Sequence, residues 1–139
     1  KAGANTNRDI NINIASSYIN GKILQPNEKF SFWDTVGKCT YDKGYKDATV
    51  YNNGKKTKGI GGGVCQVSTT VNMAVKSAGI KTNARQHSLP VSYASREDEA
   101  TVSFGNIDFK FTNTTGKTIM LVMGAVDGSC TCEVWAKYE

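Results

Sequence analysis

Proline occurs only twice and histidine once in the 139 residues, and the longest apolar run is Ile119 to Met123. That run is far too short to cross a bilayer. Residues 1–20 carry no apolar stretch of the kind a secretory leader needs. There is no internal repeat and no low-complexity linker. Hydrophobic residues make up 39% and charged residues 21%, which excludes a disordered tail or a fibrous repeat. Scarce proline beside 14 glycines points to strands and tight turns. The length suits one domain able to bury a core without a metal or disulfide staple. The abrupt polar opening, Lys1-Ala2-Gly3-Ala4-Asn5, reads like a domain of a longer exported protein, and residues 1–139 are treated as one domain.

Acidic residues are the minority, 12 against 17 Lys and Arg, giving +5 and a pI near 9.0. This balance favours an anionic environment such as a cell-wall polymer, a membrane surface or nucleic acid. The basic residues are scattered apart from Lys55, Lys56 and Lys58. No RNA-binding aromatic signature or DNA-reading helix accompanies them, so nucleic acid is set aside as a partner.

Apolar spacing predicts a helix over about residues 8–19, stopped by Asn20-Gly21. Lys29 to Trp33 alternates like a strand. Residues 37–63, with a hairpin turn at Asn52-Asn53-Gly54, look like a functional loop region rather than core. Val64, Val67, Val71, Ala74, Val75 and Ala78 form one apolar face of a second helix, which Gly79 ends. The remainder reads as an antiparallel meander over about 84–93, 99–104, 107–113, 117–126 and 130–138. Helices first and a mostly antiparallel sheet after predict an α+β fold.

Cys65 follows Gly61-Gly62-Gly63 at the start of the second helix. A helix N-terminus stabilises a thiolate, and the glycines let a substrate approach the backbone. Backbone N–H groups from Gly63, Val64 and Gln66 are the candidate oxyanion hole. Cys65 shares its helix face with Ser68, Thr69 and Asn72, so it is expected to point away from the core. His87 lies 22 residues on, in a predicted strand able to return to the helix start; it is the candidate general base and acid. Asp108 is the candidate orienter of the imidazole. That layout is analogous to papain-like and transglutaminase-like enzymes without matching their sequences.

Each of these residues has a plainer reading. A free cysteine is most often a small buried hydrophobe, a single histidine is more often structural than catalytic, and Asp108 could serve only a turn. The glycine run and the helix position weigh toward chemistry at Cys65. A phosphate cradle fails, because Val64-Cys65-Gln66 stands where Gly-Lys-Ser/Thr would be required. Cys39, Cys130, Cys132 and His87 hold the right atoms for zinc but fit no common zinc spacing, and neither a metal nor another cofactor is assigned. A disulfide between Cys39 and Cys130 or Cys132 is an open expectation for an exported domain. Asn113-Thr114-Thr115 matches a glycosylation triplet but is read as a turn.

Several blocks in order resemble the VanW family, over about residues 7–135. They are Leu24-Gln25-Pro26-Asn27-Glu28-Lys29-Phe30-Ser31-Phe32, Val36-Gly37 and Lys43-Gly44-Tyr45, then Gly61-Gly62-Gly63-Val64-Cys65-Gln66-Val67-Ser68-Thr69-Thr70. Arg85, His87-Ser88, Val91, Tyr93, Ala100-Thr101-Val102, Asp108 and Phe111-Thr112-Asn113 continue the match. The family tends to carry Gly-X-Asp before Ala-Thr-Val; this chain has Glu97-Asp98-Glu99, and no role is assigned to Glu99.

The resemblance implies an extracytoplasmic protein of a Gram-positive cell envelope, with a membrane tether through a preceding segment as an open expectation. It also implies L,D-transpeptidation of peptidoglycan, which some VanW domains have been linked to. Cys65 would attack a tetrapeptide stem, release D-Ala and pass the acyl group to a diaminopimelate amine. Ser68, Arg85 and Ser88, with Gln66, are candidate contacts to the stem's polar groups, and Trp33, Tyr45 and Tyr51 candidate walls of its path. A hydrolase using the same thiol, and a non-catalytic binder of wall peptides or of a partner enzyme, are the alternatives.

Overall fold

The computed structural model describes residues 6–52, 55–87, 91 and 93–137. Helix α1 (Thr6–Ile19) buries Asn11, Ile12, Ala15, Ser16 and Ile19, a stripe at helical spacing. It packs on α3 (Val64–Ser77) and on the sheet β1-β6-β7, formed by β1 (Lys22–Leu24), β6 (Ile119–Val126) and β7 (Ser129–Ala136). Ile119, Leu121 and Met123 alternate inward along β6 toward these helices. Val67, Val71 and Val75 of α3 are fully buried in the same core, each contributing roughly 1.5–3 kcal/mol.

Two further antiparallel pairs complete an α+β fold. Strand β2 (Lys29–Ser31) pairs with β5 (Lys110–Thr112), and β3 (Asp47–Asn52) pairs with β4 (Lys55–Ile60). The C-terminal half is therefore not one meander. Residues 84–87 and 99–104 form no regular strand among the described residues; they meet at single bonds such as Thr101 N–H to Arg85 O, 2.9 Å. The backbone of 98–102 is held by α3 instead. The alternating segment at 29–33 is also shorter than predicted. After Ser31 the chain turns into α2 (Phe32–Val36), because Ser31 Oγ accepts from Asp34 N–H and starts a helix.

About half of the region 37–63, from Asp47 to Ile60, is the β3–β4 hairpin rather than loop, with Asn52 opposite Lys55. The turn residues Asn53-Gly54 lie outside the described residues, as do the side chain of Tyr51 and all of Ser88. Asn113 is buried and its amide donates to Leu24, Gln25 and Lys117 carbonyls, so the Asn-Thr-Thr triplet builds a turn. Among the described residues no helix is long and apolar enough to cross a membrane.

Candidate active site

The glycine run before α3 is held from two sides. Asn11, wholly buried on α1, donates through Nδ2 to Gly62 O at 2.8 Å and to Lys46 O at 2.9 Å, and accepts from Lys46 N–H. Gly62 presses on the backbone of β3: a Cβ there would sit 2.5 Å from Ala48 C and Thr49 O. Gly63 adopts φ +107°, a conformation that favours glycine, and serves as the N-cap. Together these contacts fix where α3 begins, and with it Cys65.

Cys65 stands in the first turn of α3, half-buried. Its Sγ receives Val102 N–H at 3.5 Å, faces Val102 O at 3.5 Å and lies 3.7 Å from Thr101 Oγ1. The expected lowering of the thiol pKa by the helix start is overcome. Burial pushes the thiol above its ordinary value, against smaller opposing contributions from the Val102 and Thr101 hydrogen bonds.

The polar face of α3 does not point to solvent. Ser68, Thr69 and Asn72 are buried and grip the segment 98–100. Ser68 Oγ donates to Cys65 O and Ala100 O, Ala100 N–H donates to Thr69 Oγ1, and Asn72 Nδ2 donates to Asp98 O. Ser68 thus organises the site from behind and is not placed to meet a ligand.

That grip sets the partner of His87. The imidazole is fully enclosed, with Nδ1 3.0 Å from Glu99 Oε1, and Glu99 is itself 2% exposed. His87 N–H also donates to Oε1, at 2.7 Å. A carboxylate accepting at Nδ1 places the ring proton there and leaves Nε2 as the basic nitrogen. Tyr93 Oη lies 3.4 Å from Nε2. Arg96 closes the arrangement, with Nη1 3.5 Å from Glu99 Oε1 and Nη2 donating to His87 O at 3.0 Å.

Asp108 is therefore not the orienter. Its carboxylate accepts from Ser31 Oγ and from Trp33 N–H, and so secures the start of α2. Glu99 holds the position that the sequence reading left without a role. The pairing carries the signal: with Thr101 N–H on Arg85 O, a step of two residues along each antiparallel segment sets His87 against Glu99.

A cleft of about 1170 Å³ gathers the remaining groups. Cys65, His87, Gly63, Val64, Gln66, Arg85 and Trp33 all line it. Arg85 is exposed there. Trp33 stacks edge-on against Phe104 and donates Nε1–H to Ile107 O. Two of the expected oxyanion donors are already used: Val64 N–H donates to Gly61 O and Gln66 N–H to Gly63 O. Tyr45 does not reach the cleft; it is a core residue, 1% exposed. Arg8, absent from the sequence reading, lines the cleft from α1, bonds Gln66 Oε1, and lies over the Tyr93 ring at 5.8 Å.

All four cysteines are free thiols. Cys39 lines the cleft near Gly61, whereas Cys130 and Cys132 lie on β7, Cys130 facing Ser16 at 3.6 Å. The expected pairing of Cys39 with either is thus not made. Among the described residues no group of three or more His, Cys, Asp or Glu is placed to hold a metal ion.

Comparison with known proteins gives the following. The family model described as "VanW like protein" matches residues 7–135. The chain is 39% identical over 127 residues to the uncharacterized protein YoaR of Bacillus subtilis, covering 91% of this chain and 42% of that protein. It is 30% identical over 142 residues to the vancomycin B-type resistance protein VanW of Enterococcus faecalis, covering 96% of this chain and 46% of that protein. The chain thus spans less than half the length of these curated relatives, both from Gram-positive bacteria. No solved structure is significantly similar to it. With nearly its whole length matched by the family model, the chain belongs to the VanW-like family.

Proposed function

We propose that this domain is a cysteine acyltransferase acting on peptidoglycan stem peptides, of the L,D-transpeptidase type, in the cell envelope. The observation that carries the reading is the shared cleft of Cys65 and a His87 whose Nδ1 is held by the buried Glu99. A Cys, a His and an orienting carboxylate are the parts of a thiol acyl-transfer site.

The resting thiol is neutral, so His87 Nε2 removes its proton as sulfur attacks the carbonyl of the L,D peptide bond. The C–N bond then breaks, His87 returns the proton to the leaving amine, and D-Ala departs. The acyl-enzyme passes to the side-chain amine of a neighbouring diaminopimelate, whose proton His87 accepts, and the thiol is regenerated. Cys65 N–H, in the first turn of α3, has no acceptor within the helix and supplies the oxyanion contact in place of Val64 and Gln66. Arg85, exposed in the cleft, is suited to a substrate carboxylate, and Trp33 to an apolar wall.

A non-catalytic binder of wall peptides is the second reading, favoured by the raised thiol pKa. Incubation with disaccharide-tetrapeptide, followed by mass spectrometry of wild type and Cys65→Ala, separates the readings. Crosslinked dimer with loss of D-Ala, abolished in the variant, is the expected result. Tripeptide without dimer would make the domain a hydrolase. Unchanged substrate, with Cys65 inert to a thiol-reactive probe, would leave the binder.

A further inference from the structure

We propose that Arg8 forms a carboxylate subsite beside Cys65 that holds the C-terminal carboxylate of the donor's leaving residue. The site would then take peptide ends rather than internal bonds. This rests on the cleft being the stem-peptide site proposed above.

Three cations line the cleft, Arg8, Lys38 and Arg85, against one carboxylate among its lining residues, Asp9. Among the described residues neither Arg8 nor Arg85 makes an ion pair. Arg8 is held by uncharged groups only: its Nη2 donates to Gln66 Oε1, and its guanidinium carbon lies 5.8 Å from the centre of the Tyr93 ring. Gln66 is in turn fixed, its Nε2 donating to Gly128 O at 3.0 Å. The guanidinium is thus oriented in advance while its charge stays uncompensated, and its remaining N–H groups suit a planar two-point contact with a carboxylate.

Position selects which carboxylate. Arg8 is tied to the residue next to the nucleophile, and Tyr93 lies against both Arg8 and His87. In the leaving residue the carboxylate carbon is bonded to Cα, which is bonded to the nitrogen that receives the proton from His87. Other carboxylates of a stem lie several bonds farther from that nitrogen. Arg85, on the segment leading to His87, is free to meet one of those.

The test uses calorimetry with Cys65→Ala, so that binding is read without turnover. The ligands are L-Ala-γ-D-Glu-diaminopimelyl-D-Ala and the same peptide with a C-terminal carboxamide. The acid is expected to bind about 10- to 100-fold more tightly than the amide, as for a hydrogen-bonded contact to a charged group. Adding Arg8→Met should erase that ratio, Arg8→Lys should restore part of it, and Arg85→Ala should leave it in place. Equal affinity for acid and amide, a ratio retained in Arg8→Met, or binding of neither peptide would overturn the subsite. A ratio present and lost with Arg8→Met, in a wild type that turns nothing over, would keep the subsite and sink the transferase. If Arg8→Met melts earlier than its parent, the Arg8→Lys and amide comparisons still decide.

Discussion

His87 Nδ1 and Glu99 Oε1 lie 3.0 Å apart with both side chains shut off from solvent, and the same oxygen also accepts the backbone N–H of His87. A carboxylate that binds both the ring and the main chain of one residue fixes the ring's tautomer and its direction together. Replacing Glu99 with Gln keeps the shape but lets the amide present N–H to Nδ1 and invert the tautomer. Turnover in Glu99→Gln is expected to fall by about 10²- to 10⁴-fold, with a changed pH profile, in the crosslinking assay. Asp108→Asn should leave the chemistry within a few-fold and lower stability by about 1 kcal/mol, since it weakens the start of α2. The reverse ranking would restore Asp108 as the orienter.

The thiol of Cys65 is held above its ordinary pKa by burial. In the free protein its alkylation by iodoacetamide should be slow at neutral pH and accelerate through the alkaline range. Stopped alkylation followed by peptide mapping reads this directly. A plateau reached below pH 7 would mean a resting thiolate and would remove the need for proton transfer at the moment of attack.

Burial raises Cys39 from 9.0 to about 11 and Cys132 from 9.0 to about 12. The folded state keeps these protons while the unfolded chain loses them near pH 9, so their contribution to stability is present below pH 9. It declines as pH rises toward 11 and 12. Denaturant midpoints measured from pH 8 to 11 should fall, and fall less in the Cys39→Ala, Cys132→Ala double variant when each curve is scaled to its pH 8 value. An unchanged slope would place both thiols in water.

Gly62→Ala would drive a methyl group into the Ala48 and Thr49 backbone. A loss of about 1–3 kcal/mol is expected, as for overpacking where nothing flexible can yield, together with slower alkylation or turnover at Cys65. Gly79 meets nothing within 4 Å but has φ +83°. Gly79→Ala should cost about 1–2 kcal/mol of backbone strain alone and leave the site unaffected. Thermal melts and activity measured side by side distinguish the two.

The helix carrying Cys65 was legible because valines at spacings of three and four record a helix face, and because Gly63 and Gly79 mark its ends. His87 does line the same cleft, although the strand expected to carry it does not form at 84–87. What escaped was decided by buried polar groups. Ser68, Thr69 and Asn72 look like a solvated face on any periodicity, yet each has a backbone partner in 98–100, which lies some thirty residues away in sequence. Once that segment is fixed by side chains rather than by a strand ladder, Glu99 becomes the acid opposite His87, although hydropathy alone marks it as exposed. Tyr45 misled in the opposite sense, its place in the Gly-, Lys- and Asp-rich stretch 37–63 suggesting a loop while its ring fills the core.

The hydrogen bonds that shape the cleft join residues far apart along the chain: Arg8 to Gln66, Cys65 to Val102, and Gln66 to Gly128. No short fragment contains both ends of any of them, and closing loops of such length slows folding. During synthesis Cys65 therefore precedes its partner Val102, and Gln66 precedes Gly128. Gln66 waits for residue 128 before it gains the acceptor that steadies Arg8. A nascent chain halted short of the final hairpin, β6–β7, holds Cys65 and its partner Val102 but lacks Gly128, so the Arg8–Gln66 side of the cleft is completed only with that hairpin.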